Sequence, residues 1–249
     1  MPRNHVRVFA IIPVKKLEMA KSRLSSLLTD DERKQFCLKM LEDVLITVKS
    51  VRVIHQIIVI SKDPVVLQIA ENFGATFLKE RKTGLNEAVS QAIGRCIQRG
   101  AASALILPAD IPLVAPADLN RMLSLGERAS MVISSSRSGR GTNALLLTPP
   151  NASPPFYGPS SFQRHIEEAP KRRISLCRLK SQRIALDIDT VKDLIDFISL
   201  NPKDAHAYKF LEKIGIAHRL NYIRLGNILR TSSSYDKTNQ NCYRDSATI

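Results

Sequence analysis

The 249 residues carry 37 Lys+Arg against 23 Asp+Glu, a net charge of +14, with 44% hydrophobic and 24% charged residues. That is the composition of a folded chain with a sizeable core, and no apolar run approaches the ~20 residues of a membrane-spanning helix. Before Asn201 twenty-nine Lys/Arg face nineteen Asp/Glu, so most of the excess (+10) is spread over the body, and without Trp and with 5% aromatics a single-strand stacking surface is poorly supplied.

Strand and helix signals alternate along the chain. Val6 to Val14 is an apolar, β-branched run and reads as a buried strand. Asp30 to Ser50 has helical spacing, with Phe36, Met40, Val44 and Val48 four apart, and Thr29 or Asp30 as its cap. A strand is expected at Ile57 to Ile60, a helix from Pro64 to Phe73 stopped by Gly74, and a short strand from Ala75 to Leu78. Next come a helix from Asn86 to Gln98 closed by Gly100, a strand at Ala104 to Leu107, a helix at Asp118 to Leu125 and a strand at Met131 to Ser134. Ser135 to Arg183 is less regular, rich in Ser, Pro and Gly, with one strand from Asn143 to Leu147. A late strand is expected at Ile184 to Asp189 and a helix at Val191 to Leu200, while Pro202 to Leu229 is helix-prone.

Four strand–helix repeats predict parallel strands with right-handed crossovers, a Rossmann-like three-layer α/β/α sandwich around a mostly parallel sheet. The expected organisation is a single domain over residues 1–200, a helical extension over 201–230 and a disordered polar tail over 231–249. Met1 to Val8 lacks the apolar stretch of a signal peptide, so the cytoplasm is the expected compartment. Cys37, Cys96, Cys177 and Cys242 show no C-x-x-C spacing and read as free thiols.

Three carboxylates stand out by position. Asp110 follows the Ala104 to Leu107 strand, at the edge where open α/β sheets bind ligands. Asp187 and Asp189 are two apart on an expected strand and so share a face, where they repel unless a cation lies between them. Hard oxygen ligands of this kind suit Mg²⁺ beside substrate phosphates. Each Asp could equally be a turn or capping residue, Asp189 or Thr190 capping the following helix.

After the first strand there is no Gly-x-Gly-x-x-Gly and no Walker lysine loop. Lys15, Lys16, Lys21 and Arg23 instead put four cations in a short loop, suited to a polyphosphate or else simply solvated. Gly84-Leu85-Asn86 opens a helix, with Asn86 as a cap or a polar reader of base or ribose. Gly141-Thr142-Asn143 and Gly158-Pro159-Ser160-Ser161 are turns whose amides could take a phosphate or carboxylate, and His165 either lines that pocket or caps it.

In order, Ile12-Pro-Val-Lys-Lys-Leu, Ala20-Lys-Ser-Arg-Leu, Gly84-Leu-Asn, Pro108-Ala-Asp-Ile-Pro, Gly141-Thr-Asn, Gly158-Pro-Ser-Ser-Phe with His165, and Asp187-Ile-Asp-Thr resemble the 2-phospho-L-lactate guanylyltransferase family. The likeness runs from about Val6 to Ser199 and leaves the chain after Pro202 unaccounted for. It implies transfer of GMP from GTP to a small phosphorylated acid in coenzyme F-420 synthesis, 2-phospho-L-lactate or, as in bacterial relatives, phosphoenolpyruvate. It implies Mg²⁺, as two ions, on Asp110, Asp187 and Asp189, and catalytic roles for Lys21, Arg23 and Asp110. Lys15, Lys21, Arg23, Gly84 and Asn86 would bind the nucleotide; Thr142, Gly158 and Ser161 would bind the acceptor. A homodimer is also implied. Pro159 departs from the family phrase and removes an amide from that turn. Two other readings are another nucleotidyltransferase on the same fold and, from the charge alone, a basic nucleic-acid-binding protein; the second predicts steeply salt-dependent binding.

Overall fold

The computed structural model describes residues 7–221. Among them seven strands share one sheet: β1 (Val8–Pro13), β2 (Ile54–Ser61), β3 (Thr76–Lys79), β4 (Ser103–Ile106), β5 (Met131–Ser135), β6 (Thr142–Leu147) and β7 (Leu176–Arg178), in the order β3-β2-β1-β4-β6-β5-β7. β1 pairs in parallel with both β2 and β4, and β2 with β3. β6 runs antiparallel between β4 and β5, and β7 adds in parallel to β5.

Alternation along the strands sorts side chains onto two faces. Val8, Ala10 and Ile12 of β1 point to the face covered by Leu41, Val44, Leu45 and Val48 of α1 (Asp30–Ser50), Val66 and Ala70 of α2 (Pro64–Asn72) and Leu119 and Met122 of α4 (Pro116–Gly126). Phe9 and Ile11 point the other way, where Ala88, Val89, Ala92 and Ile93 of α3 (Leu85–Gln98) close the second core. Helices on both faces favour strands buried along their length, as in the wholly apolar β1 and in β4, where Ser103 is the one polar residue.

The first helix serves two cores. Thr29 and Glu32 form a reciprocal capping box at its start, and Glu32 also takes a two-pronged contact from Arg219, which holds its carboxyl down to about 2. Its Phe36 and Met40 turn from the sheet into a third core with Leu186, Ile188, Leu194, Phe197, Ala207, Tyr208 and Leu211. That core joins α1 to α7 (Val191–Ser199) and α8 (His206–Lys213). Asp43 of α1 caps α8 from outside, accepting from His206 N at 2.7 Å and Ala207 N at 2.9 Å. Burial pushes its carboxyl up, against the pull of those two amides.

Three expectations need correction. Ile184 to Asp189 is no strand: α6 (Gln182–Ala185) ends there, and the chain then runs extended but unpaired in the sheet. The pull of the third core on Leu186 and Ile188 takes it out of the ladder, and Ile188 N donates to the carbonyl of Asp110 instead. The seventh strand is the three-residue β7, and the irregular region also holds α5 (Ser161–Lys171). Asn86 is not a cap, because α3 starts at Leu85 with Gly84 before it at φ 129°, a backbone that favours glycine. The expected tail over 231–249 and the end of the helix-prone segment lie outside the described residues.

Candidate active site at the carboxyl edge of the sheet

β1 has β2 on one side and β4 on the other, so connections leave its carboxyl end in opposite directions and open a crevice there. The loop after β1 supplies Lys15, Lys16 and Lys21; the loop after β4 supplies Pro108 to Asp110. With Leu17, Cys37, Met40, Leu85, Thr142, Tyr157 and Asp189 they line a cleft of about 520 Å³. A second hollow of about 450 Å³ adjoins it and shares Pro13 to Lys16 and Leu85, adding Lys62, Glu80, Thr83 and Gly84.

Lys21 is the centre of the charge arrangement. Its backbone is left-handed (φ 52°, ψ 39°), an uncommon state for a residue with a Cβ and one held only when surroundings fix it. Its side chain is 8% exposed, and Nζ lies 2.7 Å from Asp110 Oδ2 and 2.6 Å from Asp189 Oδ1. Burial disfavours the ammonium, but Asp110 and Asp189 outweigh it and hold the pKa above the ordinary lysine value. Burial likewise works against the Asp189 carboxylate, yet Lys21, then Arg23 and Lys15, keep its pKa low. Asp187 is the contrasting case: burial, reinforced by Asp110 and Asp189, pushes its carboxyl up despite a 3.0 Å hydrogen bond from Asn143 Nδ2. The three acids thus come together from segments 77 or more residues apart.

The segment bearing Asp187 and Asp189 is tied on several sides. Asn143 also donates to the carbonyl of Ile184 at 2.9 Å, and Arg137 N donates to that of Ala185. Buried Asp118 accepts from Ser181 Oγ at 2.9 Å and from Arg183 through Nε (2.6 Å) and Nη2 (3.0 Å). Burial raises and Arg183 lowers the Asp118 pKa, and the guanidinium prevails. The sequence does not single out Asp118 and Arg183 as site residues, and it offers Asn143 only within Gly141-Thr142-Asn143; Asn143 stands beside Thr142 at the start of β6.

On the far wall, Thr142 reaches the cleft while Ser161 faces inward. Ser161 Oγ accepts from Thr142 N at 2.9 Å and lies 3.2 Å from Thr142 Oγ1, so its hydroxyl is engaged within the protein. His165, fully buried, accepts at Nε2 from Phe156 N (3.1 Å) and donates from Nδ1 to the Ser161 carbonyl (2.8 Å). Burial, with Arg164 adding to it, pulls this imidazole down to about 4. It is a neutral brace for the 156–161 loop and does not line the cleft. Gly158 follows at φ 121°, again where a Cβ is unfavourable. Asn86 turns its amide to the backbone of Tyr157, donating to the carbonyl (3.0 Å) and accepting from the N–H (2.7 Å) of that residue.

Lys15, Lys16 and Arg23 are exposed. Among the described residues no three His, Cys, Asp or Glu side chains converge on a common ion position, and no helix is long and apolar enough to cross a membrane. The arrangement is a cleft with cations at its mouth and, behind them, two part-buried acids, Asp110 and Asp187, and the exposed Asp189 around the buried Lys21 ammonium. It suits polyanion chemistry, and it offers no nucleophile–base pair: Cys37 is the thiol on the cleft, and burial pushes it up to about 11.

Comparison with known proteins agrees with this chemistry. The family model described as "Guanylyl transferase CofC like" matches residues 8–225. A phosphoenolpyruvate guanylyltransferase of Rubrobacter xylanophilus is 39% identical over 188 residues, 75% of this chain and 91% of that one. A 2-phospho-L-lactate guanylyltransferase of Methanocaldococcus vulcanius is 34% identical over 210 residues, 84% of this chain and 92% of that one. In fold the chain is similar to a crystal structure from Desulfovibrio desulfuricans G20 provisionally called a nucleotide-diphospho-sugar transferase, with a TM-score of 0.70, 16% identity, and 85% and 97% of the two chains covered.

Proposed function

The chain belongs to the CofC-like guanylyl transferase family, and from that premise we propose that it transfers GMP from GTP to 2-phospho-L-lactate, giving lactyl-2-diphospho-5′-guanosine and pyrophosphate in coenzyme F-420 biosynthesis. The observation that carries this reading is the Lys21 ammonium buried between Asp110 and Asp189, with Asp187 beside them, on a cleft whose mouth holds Lys15 and Lys16.

The chemistry follows from charge. The attacking oxygen belongs to the acceptor's own phosphate and is already anionic, so no protein base is needed. It forms a bond to the α-phosphorus as the bond to the bridging oxygen breaks, and pyrophosphate leaves with that electron pair. The obstacle is bringing two anions together, which fixed cations in a shielded cleft reduce. Lys15 and Lys16 would meet the triphosphate at the mouth, while Lys21 and Arg23 would balance charge as it builds on the leaving group. Gly84 would allow the nucleotide close to the backbone, and Thr142 and Gly158 would face the acceptor. Ser161 is assigned to holding Thr142, in keeping with its inward hydroxyl.

Asp110, Asp187 and Asp189 are the residues that would hold Mg²⁺. Their oxygens are hard donors of the kind Mg²⁺ takes, and Asp187 is raised in pKa by burial and by its acidic neighbours, which a dication would relieve. With Lys21 Nζ held between Asp110 and Asp189 the three do not converge on one position, so the ion would take them only as Lys21 gives way. When bound, the ion supplies charge neutralisation at the α-phosphate and pyrophosphate. A magnesium requirement, a cytoplasmic setting and a homodimeric state complete the reading.

A second acceptor has its own support, since the Rubrobacter relative is named for phosphoenolpyruvate. Incubating the protein with GTP, MgCl₂ and each acid in turn, with pyrophosphate release and product mass as readouts, tests both. Release with 2-phospho-L-lactate that stops on chelation is the expected result; release with phosphoenolpyruvate alone establishes the second reading. Release with neither acid overturns the function.

A further inference from the structure

We infer that Asn86 is a positioning residue that fixes the acceptor-side loop against the first turn of α3, and that it governs affinity for the acid acceptor rather than for GTP. The inference rests on the transfer reaction proposed above.

The side-chain amide of Asn86 engages both backbone groups of one residue, Tyr157, as a neighbouring strand would. Nδ2 donates to the Tyr157 carbonyl at 3.0 Å, and Oδ1 accepts from the Tyr157 N–H at 2.7 Å. The remaining ties on this stretch come from α5: Arg164 Nη2 donates to the carbonyls of Phe156 (2.8 Å) and Tyr157 (2.7 Å), and His165 Nε2 accepts from Phe156 N. Those ties hold the loop to its own helix. Asn86 holds it to the opposite wall, 71 residues earlier in the chain, next to Leu85 on the cleft.

Two of the four hydrogen-bonding positions of the Asn86 amide, one N–H and one lone pair of Oδ1, are spent on Tyr157, and these bonds fix the orientation of the side chain toward the loop. Gly158, with its left-handed backbone, begins the turn one residue beyond the grip, so loss of the grip displaces the acceptor-facing turn first. The β1 loop cations and Gly84 have no bond to Asn86 and keep their places, which separates the two substrates energetically.

The test uses the full chain with GTP, Mg²⁺ and whichever acid the wild-type protein turns over. Asn86→Ala removes the grip. Asn86→Asp keeps the volume and the acceptor for Tyr157 N–H but sets a carboxylate against the Tyr157 carbonyl, so a folding failure of the first variant leaves the second as the probe. Both should raise the acceptor KM on the order of ten- to a hundredfold. GTP affinity, titrated calorimetrically without acceptor, should stay within about twofold of wild type. An unchanged acceptor KM in the Asp variant, a matching loss of GTP affinity, or a collapsed preference for GTP over inosine triphosphate would each overturn the inference while leaving the reaction intact. Absence of turnover in the wild-type protein overturns the reaction, and this inference with it.

Discussion

The fully buried His165 makes stability depend on pH in a direction that can be worked out beforehand. Its folded pKa is about 4 against an ordinary 6.5, so the folded protein refuses a proton that the unfolded chain accepts. The stabilisation from this group is therefore complete above pH 6.5 and is lost as the pH falls toward 4. The linkage gives a loss of about 2 kcal/mol at pH 5 and about 3 kcal/mol by pH 4. Other carboxylates titrate over the same range, so the informative quantity is a difference. Urea unfolding of wild type and His165→Gln at pH 7.5, 6, 5 and 4 should show wild type ahead at pH 7.5, with its advantage shrinking by those amounts as acid is added. Parallel curves from pH 7.5 to 4 would refute the assignment of a buried neutral imidazole, as would an NMR titration of its ring protons centred near 6.5.

Other variants probe the acid cluster and its supports. Lys21→Met leaves Asp110 and Asp189 without their shared cation; with those carboxylates 28% and 50% exposed, the cost falls below that of a fully buried pair, to about 2 kcal/mol in denaturant. The same change should cut pyrophosphate release about a hundred- to a thousandfold. Arg183→Ala strands the buried Asp118 and should cost about 1 to 2 kcal/mol, tempered because half of the Arg183 side chain is exposed. It should also raise the Mg²⁺ concentration needed for half-maximal turnover, by loosening the segment that bears Asp187 and Asp189. Asp43→Ala removes both amide contacts at the start of α8 and should lower stability by about 1 kcal/mol, read as a drop in melting temperature.

What the sequence disclosed was set by how local each cause is. β1 is an apolar run, and β2, β4 and β6 each hold one, at residues 57–60, 104–106 and 144–147, a pattern that demands burial on two faces. Thr29 with Glu32 announces the first helix within four residues. The carboxyl edge of the sheet follows from that alternation, so the candidate residues there could be singled out before any coordinates. Ile184 to Asp189 misled because Ile-Ala-Leu-Asp-Ile-Asp suits a strand or any extended segment with one apolar side; only α7 and α8 decide that this side meets a third core. β7 is three residues long, too short for any periodicity to register. Asn86 was legible as polar at a helix start, but its partner is 71 residues away, and a single side chain gives no hint of which distant peptide it will bind. The left-handed backbone of Lys21 was equally hidden, since nothing about a lysine advertises it.

The third core bears on how much chain the catalyst needs. Leu186 and Ile188 flank Asp187 and rest on Ala207, Tyr208, Leu211 and Ile216, all beyond the stretch that carries the candidate site. A protein trimmed at Leu200 would retain every one of those site residues and yet lose the α8 side of the core that supports the segment bearing two of its three acids. The segment that looks like an appendage is a foundation, and shortened versions of this enzyme should be cut beyond it.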